Sequence, residues 1–179
     1  VAAITPMLLD LLKEHLTSTM QTSISSSDPT RADIVKIGRF QDDPLANNVY
    51  IAISPSDPEK LDWVDGIVTL DTMKDIGFYM DPREVGGGQA WWRRGVVQIG
   101  CYFIKEKYNE EKALGYAHTV LSRLLNNIEN INLTGVVDDF NERAIIMFCY
   151  SHHFAESGGP PDQYIWRGKI HWQCLTERP

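Results

Sequence analysis

Residues 91–130 carry two hydrophobic periods back to back. In the first, Trp91, Val97, Ile99, Cys101 and Phe103 share one parity, while Arg94, Gln98, Gly100 and Tyr102 share the other. Strict alternation is the signature of a strand with one face on a core and one face turned away from it. In the second, "NEEKALGYAHTVLSRLLNNIEN", the apolar residues Ala113, Ala117, Val120, Leu121, Leu124 and Ile128 recur at helical spacing. A strand and a helix that each have one apolar side are both satisfied when the helix lies on the sheet. Asn109 is placed to cap this helix, and Glu110 and Glu111 suit the positive end of its dipole. Ala113, Gly115 and Ala117 are small enough to let it approach the sheet closely.

The remaining elements extend this layer. "ITPMLLDLLKEHLTSTM" predicts a first helix, with Thr5 as cap, Pro6 at the first helical position and Ile4 as staple. Its apolar stripe is Leu8, Leu9, Leu12 and Leu16, and "TSISSSDPT" stops it. "ADIVKIGRF" and "NNVYIAISP" read as strands joined by "QDDPLAN", which predicts a hairpin. "RAIIMFCYSHH" is apolar on both parities and predicts a central strand. In "QYIWRGKIHWQCLTER", Tyr164, Trp166, Ile170, Trp172 and Cys174 share one face, and Arg167, Lys169, His171 and Gln173 the other. The expected fold is therefore α+β: a mainly antiparallel sheet with two helices on one face. The chain, residues 1–179, is expected to form one such domain, with a long loop or hairpin excursion at about 55–94 used for subunit or partner contacts.

Composition removes several functional classes. The 179 residues are 43% apolar and 23% charged, enough for a core without disulfides or metal. The net charge of −7 argues against a dedicated nucleic-acid binder, whose affinity comes from Lys and Arg on phosphates. No apolar run is long enough to span a bilayer, and no secretory signal is expected at the N-terminus. Cys101, Cys149 and Cys174 lie in strand-like segments without a CxxC and read as buried free thiols of a reducing compartment.

The residues that attract attention for chemistry do not assemble any. Gly86, Gly87 and Gly88 are followed by Gln89 and Ala90, so the Lys-Ser/Thr of a phosphate loop is missing. A strand follows, where a dinucleotide fingerprint needs a helix. His152 and His153 are neighbours on a strand and face opposite ways. Asp138, Asp139 and Glu142 sit in a polar connection, where a solvated cluster is the ordinary state. There is no HExxH and no GxSxG. No catalytic residue, cofactor site or metal site is expected.

Trp91-Trp92-Arg93-Arg94 reads differently. Neighbours on a strand point apart, so at most one tryptophan reaches the core. An exposed Trp beside Arg has the composition of an interface hot spot; the alternative is an aromatic cluster closed within the chain, with Arg stacked on it. The candidate interface comprises Gly86, Gly87, Gly88, Trp91, Trp92, Arg93 and Arg94, together with Tyr102, Arg167, Lys169 and His171 from the strand faces.

A small acidic α+β chain with this order of elements resembles the tail terminator proteins of long-tailed bacteriophages and related gene-transfer particles, also called minor tail protein U-like or tail-completion proteins. The resemblance runs from "ITPMLLDLLKEHL" to "WRGKIHWQCLTER" and rests on element order and texture. It implies a structural virion protein, not an enzyme, forming a hexameric ring that caps the tail tube, stops its polymerisation and joins tail to head. The implied partners are other copies of the chain, the tail tube protein and the head–tail connector or stopper protein. DNA would pass through the lumen without sequence-specific binding, and no membrane or cofactor is involved. The implied location is the tail or neck of a virion assembled in the cytoplasm of a bacterial host. The length of the 55–94 excursion leaves another neck or tail-tube component open. A small ligand-binding or enzymatic α+β domain, with a pocket between sheet and excursion, is the reading from a different class.

Overall fold

The computed structural model of the chain describes residues 7–38, 48–54, 65–67, 89–133, 143–157 and 161–178, and for 65–67, 89–93, 143 and 176–178 the backbone alone. Helix α1 spans Met7–Leu16. Its stripe is the expected one, with Leu8, Leu9, Leu12 and Leu16 all buried. The expected cap residues Ile4, Thr5 and Pro6 lie outside the described residues. The helix passes into a π-helical turn, Thr17–Thr22, that keeps Met20 fully buried. Hydroxyls account for the widened turn. Thr19 Oγ1 donates to the carbonyl of His15 at 2.9 Å, Thr22 Oγ1 to that of Ser18 at 3.1 Å, and Ser23 Oγ to that of Thr19 at 2.9 Å. Side-chain donors that reach carbonyls one turn back compete with the helical ladder.

Six strands form one sheet: β1 (Ile34–Ile37), β2 (Val49–Ser54), β3 (Asp65–Ile67), β4 (Gln89–Ile104), β5 (Arg143–Ser157) and β6 (Gln163–Arg178). The order is β1-β2-β4-β6-β5, with β3 pairing β4 off this path. Every pairing is antiparallel except β1 with β2.

That exception corrects the hairpin expected from "ADIVKIGRF" and "NNVYIAISP": the two strands run parallel, Ile34 opposite Tyr50 and Ile37 opposite Ile53. Asp33 explains the start-to-start alignment. Its Oδ2 accepts the backbone N–H groups of Asn48, at 2.6 Å, and Val49, at 3.3 Å. Its own N–H donates to the Val49 carbonyl at 2.9 Å. The two strand beginnings are thus tied to one another, an arrangement that side-by-side hydrophobic runs do not announce.

Helix α2 spans Glu110–Glu129. Asn109 caps it as expected, its Oδ1 accepting the Lys112 N–H at 2.8 Å. Ala113, Ala117, Val120, Leu121, Leu124 and Ile128 are buried. Gly115 plays no part in close packing: a Cβ built there has nothing within 4 Å. The approach to the sheet rests on Ala113 and Ala117. The two helices share one core with the inward parity of β4, namely Val97, Ile99, Cys101 and Phe103, and with Ile170, Trp172 and Cys174 of β6. Burying each large aliphatic chain there contributes about 1.5–3 kcal/mol against leaving it exposed. The helices are pinned to one another by His15 Nε2 and the Asn127 carbonyl at 2.8 Å. Arg123 of α2 also donates to Thr30 Oγ1, at 2.6 Å.

Strand β5 is at the edge of the sheet, not in its centre as the two-sided apolar pattern of "RAIIMFCYSHH" predicts. Between its register shifts at Ala144/Ile146 and Cys149/Ser151 the strand is apolar on both faces: Met147 and Cys149 lie opposite Cys174 and Trp172 on the helix side, and Ile146 and Phe148 lie opposite the buried Leu175 and Gln173 on the other. Two-sided apolar character therefore occurs here on an edge strand.

Candidate assembly surface

On the face of the sheet opposite the helices, Arg94, Tyr102, Arg167, Lys169 and His171 of the residues expected at an interface meet. By register this face is built from Ile34 and Lys36 of β1, Tyr50 and Ala52 of β2, and Arg94, Gln98 and Tyr102 of β4. From β6 come Ile165, Arg167, Lys169, His171 and Gln173, and from β5 Ser151, His153 and Ala155. A small apolar patch lies at its centre: Tyr50, Ala52, Tyr102 and Ile165 are buried against one another, with Ile34 beside them. Tyr102, expected as a contact residue, is therefore only 2% exposed. Cations sit over the patch. The Arg167 guanidinium lies 5.9 Å from the Tyr102 ring centre, and the Lys36 ammonium 5.4 Å from that of Tyr50. This is cation–π geometry.

Around the patch the described charged side chains are basic. Arg94 is exposed and stands opposite Gln173. Lys169 stands between Gln98 on one side and His153 on the other. His171 has the exposed ring of Tyr150 against it, 5.9 Å between centres. Arg167 and Lys169, with Gln98, His153, Ala155, Ser157 and the acidic Glu156, line an open groove of about 360 Å³. Among the described side chains of this face the full charges are Lys36, Arg94, Arg167 and Lys169, on a chain of net charge −7. The amide oxygens of Gln98 and Gln173 are buried here without a donor among the described residues.

Two glycines let the strands close up. A Cβ at Gly168 would collide with the His153 carbonyl and with Phe154, and one at Gly95 would fall into the Trp172 ring. On the helix side of β5, Phe154 packs edge-on against His118 of α2 at 5.8 Å and tilts against Trp166 at 5.8 Å.

Gly86, Gly87 and Gly88 lie outside the described residues, as do Asp138, Asp139 and Glu142 and most of the 55–94 excursion. Trp91, Trp92, Arg93 and Arg94 belong to β4, where Trp91 is opposite Thr176 and Ile67, and Trp92 opposite Leu175 and Gly66. Strands β4 and β6 are 16 residues each, paired from end to end. At ~3.3 Å per residue that is about 50 Å, longer than the ~40 Å width of a compact domain of this size.

Sequence reasoning missed His153 and Lys36 as members of the basic face. The alternation of Ile34 and Lys36 against Tyr50 and Ala52 was a usable signal for Lys36. His153 had none, since its face is set by the bulge at Cys149/Ser151.

The three cysteines are free. Cys101 is fully buried, and desolvation raises its pKa far above the ordinary thiol value. Cys149 is half-buried, and its pKa is pushed up to about 12, first by desolvation and then by the charge of Glu129. Among the described residues no group of three or more His, Cys, Asp or Glu could hold a metal, and no helix is long and apolar enough to cross a membrane.

No family model matches the chain, and no curated protein matches it. Among solved structures, a chain from the virion of a native gene transfer agent particle shows a distant likeness. Its TM-score is 0.39 at 12% sequence identity, over 79% of this chain and 78% of that chain.

Proposed function

We propose that this chain is a structural protein of a phage-like virion, without catalytic activity, that assembles into a ring at the end of the tail tube. In this reading the ring is hexameric, ends tube growth and joins the tail to the head connector. The copy number and position follow the family resemblance of the sequence.

The observation that carries the reading is the basic outer face of an acidic chain. A closed ring needs two different patches per subunit that fit each other. Arg94, Arg167, Lys169, His153 and Lys36 supply a positive patch, and the acidic remainder of an adjacent copy supplies its complement. Arginine and aromatic residues together are what interface centres use, and Arg167 lies over Tyr102 in this way. The acidic surplus would leave the lumen repulsive to DNA phosphates, so that a genome passes without being gripped.

Electron microscopy and native mass spectrometry of the purified chain test the proposal. The expected result is a six-fold ring that loses subunits when Arg94 and Lys169 are both changed to Glu. A chain that never exceeds a dimer with tail tube protein present would overturn it.

A further inference from the structure

The two outer edges of the sheet are unlike one another. At one side β1 is four residues long and stops at Gly38, where φ is 122°. A short edge of this kind is poorly suited to pairing with another strand. At the other side β5 is 15 residues long. Its first half is irregular, with register shifts at Ala144/Ile146 and Cys149/Ser151, and the Glu129 carboxylate accepts the Cys149 N–H at 3.4 Å. Its second half, 152–157, pairs with β6 without a break, and no further strand of the path lies beside it. An edge that is regular and, among the described residues, has no neighbouring strand is a template for a strand from another chain.

We propose that residues 152–157 of β5 pair with the same segment of a second copy, antiparallel about a two-fold axis at Phe154. Charge selects the occupant and the register. His152, Phe154 and Glu156 share the helix side of the sheet, opposite Ile170, Gly168 and Trp166. His152 and Glu156 are both exposed, and among the described residues neither side chain has a hydrogen bond or ion pair. With the axis at Phe154, each His152 stands opposite Glu156 of the other copy, and the Phe154 rings meet. On the other side His153 meets Ala155, and Ser151 meets Ser157. An axis at His152, His153 or Glu156 sets a residue of one kind opposite itself, histidine on histidine or Glu on Glu. An axis at Ala155 sets Glu156 against Phe154. Opposite charges directly across a ladder stabilise, and like charges oppose. Only the Phe154 register gives two His–Glu pairs and sets no titratable side chain opposite one of its own kind. The paired dimer has one continuous sheet with the helices of both copies on the same side.

This dimer does not rest on the ring reading, since it closes at two copies and uses an edge, not the basic face. The test is sedimentation velocity of the full chain across a concentration series, with hydrogen exchange on the same samples. The wild-type chain is expected to dimerise, with amides of 152–157 gaining protection as concentration rises. His152→Glu is expected to raise the dimer dissociation constant about tenfold. Adding Glu156→Arg to it reverses the pairs and is expected to restore dimerisation. A monomeric wild-type chain would overturn the proposal. So would an unaffected His152→Glu, or a double variant that stays monomeric while its circular dichroism matches wild type. A six-fold ring in which 152–157 exchanges freely would overturn the dimer and leave the ring standing.

Discussion

Gly95 and Trp172 stand opposite each other across β4 and β6, and the indole occupies the space that a side chain at residue 95 would fill. The Ser54 carbonyl closes the same space from β2, 2.5 Å from the position a Cβ would take. A fully buried tryptophan is thus seated on a backbone chosen for having nothing there.

The same substitution is therefore expected to act with opposite sign at two glycines. Gly95→Ala forces the indole or the strand to shift and is expected to destabilise by about 1–3 kcal/mol. Gly115→Ala adds a methyl where nothing lies within 4 Å, inside a helix, and is expected to stabilise by about 0.5–1 kcal/mol. Urea titration of both variants measures the pair; equal shifts would mean that Trp172 does not depend on Gly95.

Leu124 has no exposure and lies in the core between α2 and the sheet. Leu124→Ala is expected to cost about 2–5 kcal/mol, by lost transfer energy and by the cavity left behind. Chemical denaturation gives the value, and a loss below half a kcal/mol would place the stripe elsewhere.

Asp33 holds the beginnings of β1 and β2 together through two backbone N–H groups. Asp33→Ala leaves both donors without this acceptor, at an expected cost of about 1–3 kcal/mol. Its ion pair with Arg31, 3.8 Å long and partly exposed, adds little to this. Asp33→Asn keeps an acceptor oxygen and is expected to recover part of the loss in a thermal melt.

Cys149 gives a pH dependence of known sign. Its folded pKa, about 12, lies above the ordinary thiol value of 9.0, so the folded chain holds the thiol proton longer than the unfolded one. The contribution to stability is complete below pH 9 and is lost as pH rises from about 9 towards 12. Cys149→Ser is expected to flatten stability over that window, measured by denaturation at successive pH values. In the native state at pH 8, Cys101 and Cys174, both buried, are expected to resist a bulky maleimide, and Cys149 to react slowly.

What the sequence made legible was whatever has a local cause. The Asn109 cap and the α2 stripe are each decided within a few residues, and both stand as expected; in β4 the parity of Val97, Ile99, Cys101 and Phe103 reaches the helix-side core, but Val96 and Tyr102 of the other parity are buried as well. The α+β class followed, because an alternating strand and an amphipathic helix must cover each other. The failures concern relations between distant segments. The parallel course of β1 and β2 depends on Asp33 reaching Asn48 and Val49. The edge position of β5 was hidden because its apolar residues face both ways, Met147 and Cys149 on the helix side, Ile146 and Phe148 on the other. Tyr102 carries the parity of an outward residue, yet Tyr50 and Ile165 enclose it. Arg167, Lys169 and His171 do fall together on one face, because a single strand supplies all three.

The strand order also sets a timetable for synthesis. Strand β4 ends at Ile104, but β6, its partner along the whole of its length, begins only at Gln163. While the ribosome is still making α2 and β5, one entire side of β4 has no ladder to join, and its apolar parity has an incomplete roof. The nascent chain must therefore be kept from its neighbours until β6 emerges. Closing the sheet is a late, non-local event, of the kind that folds slowly and exposes half-made strands to aggregation.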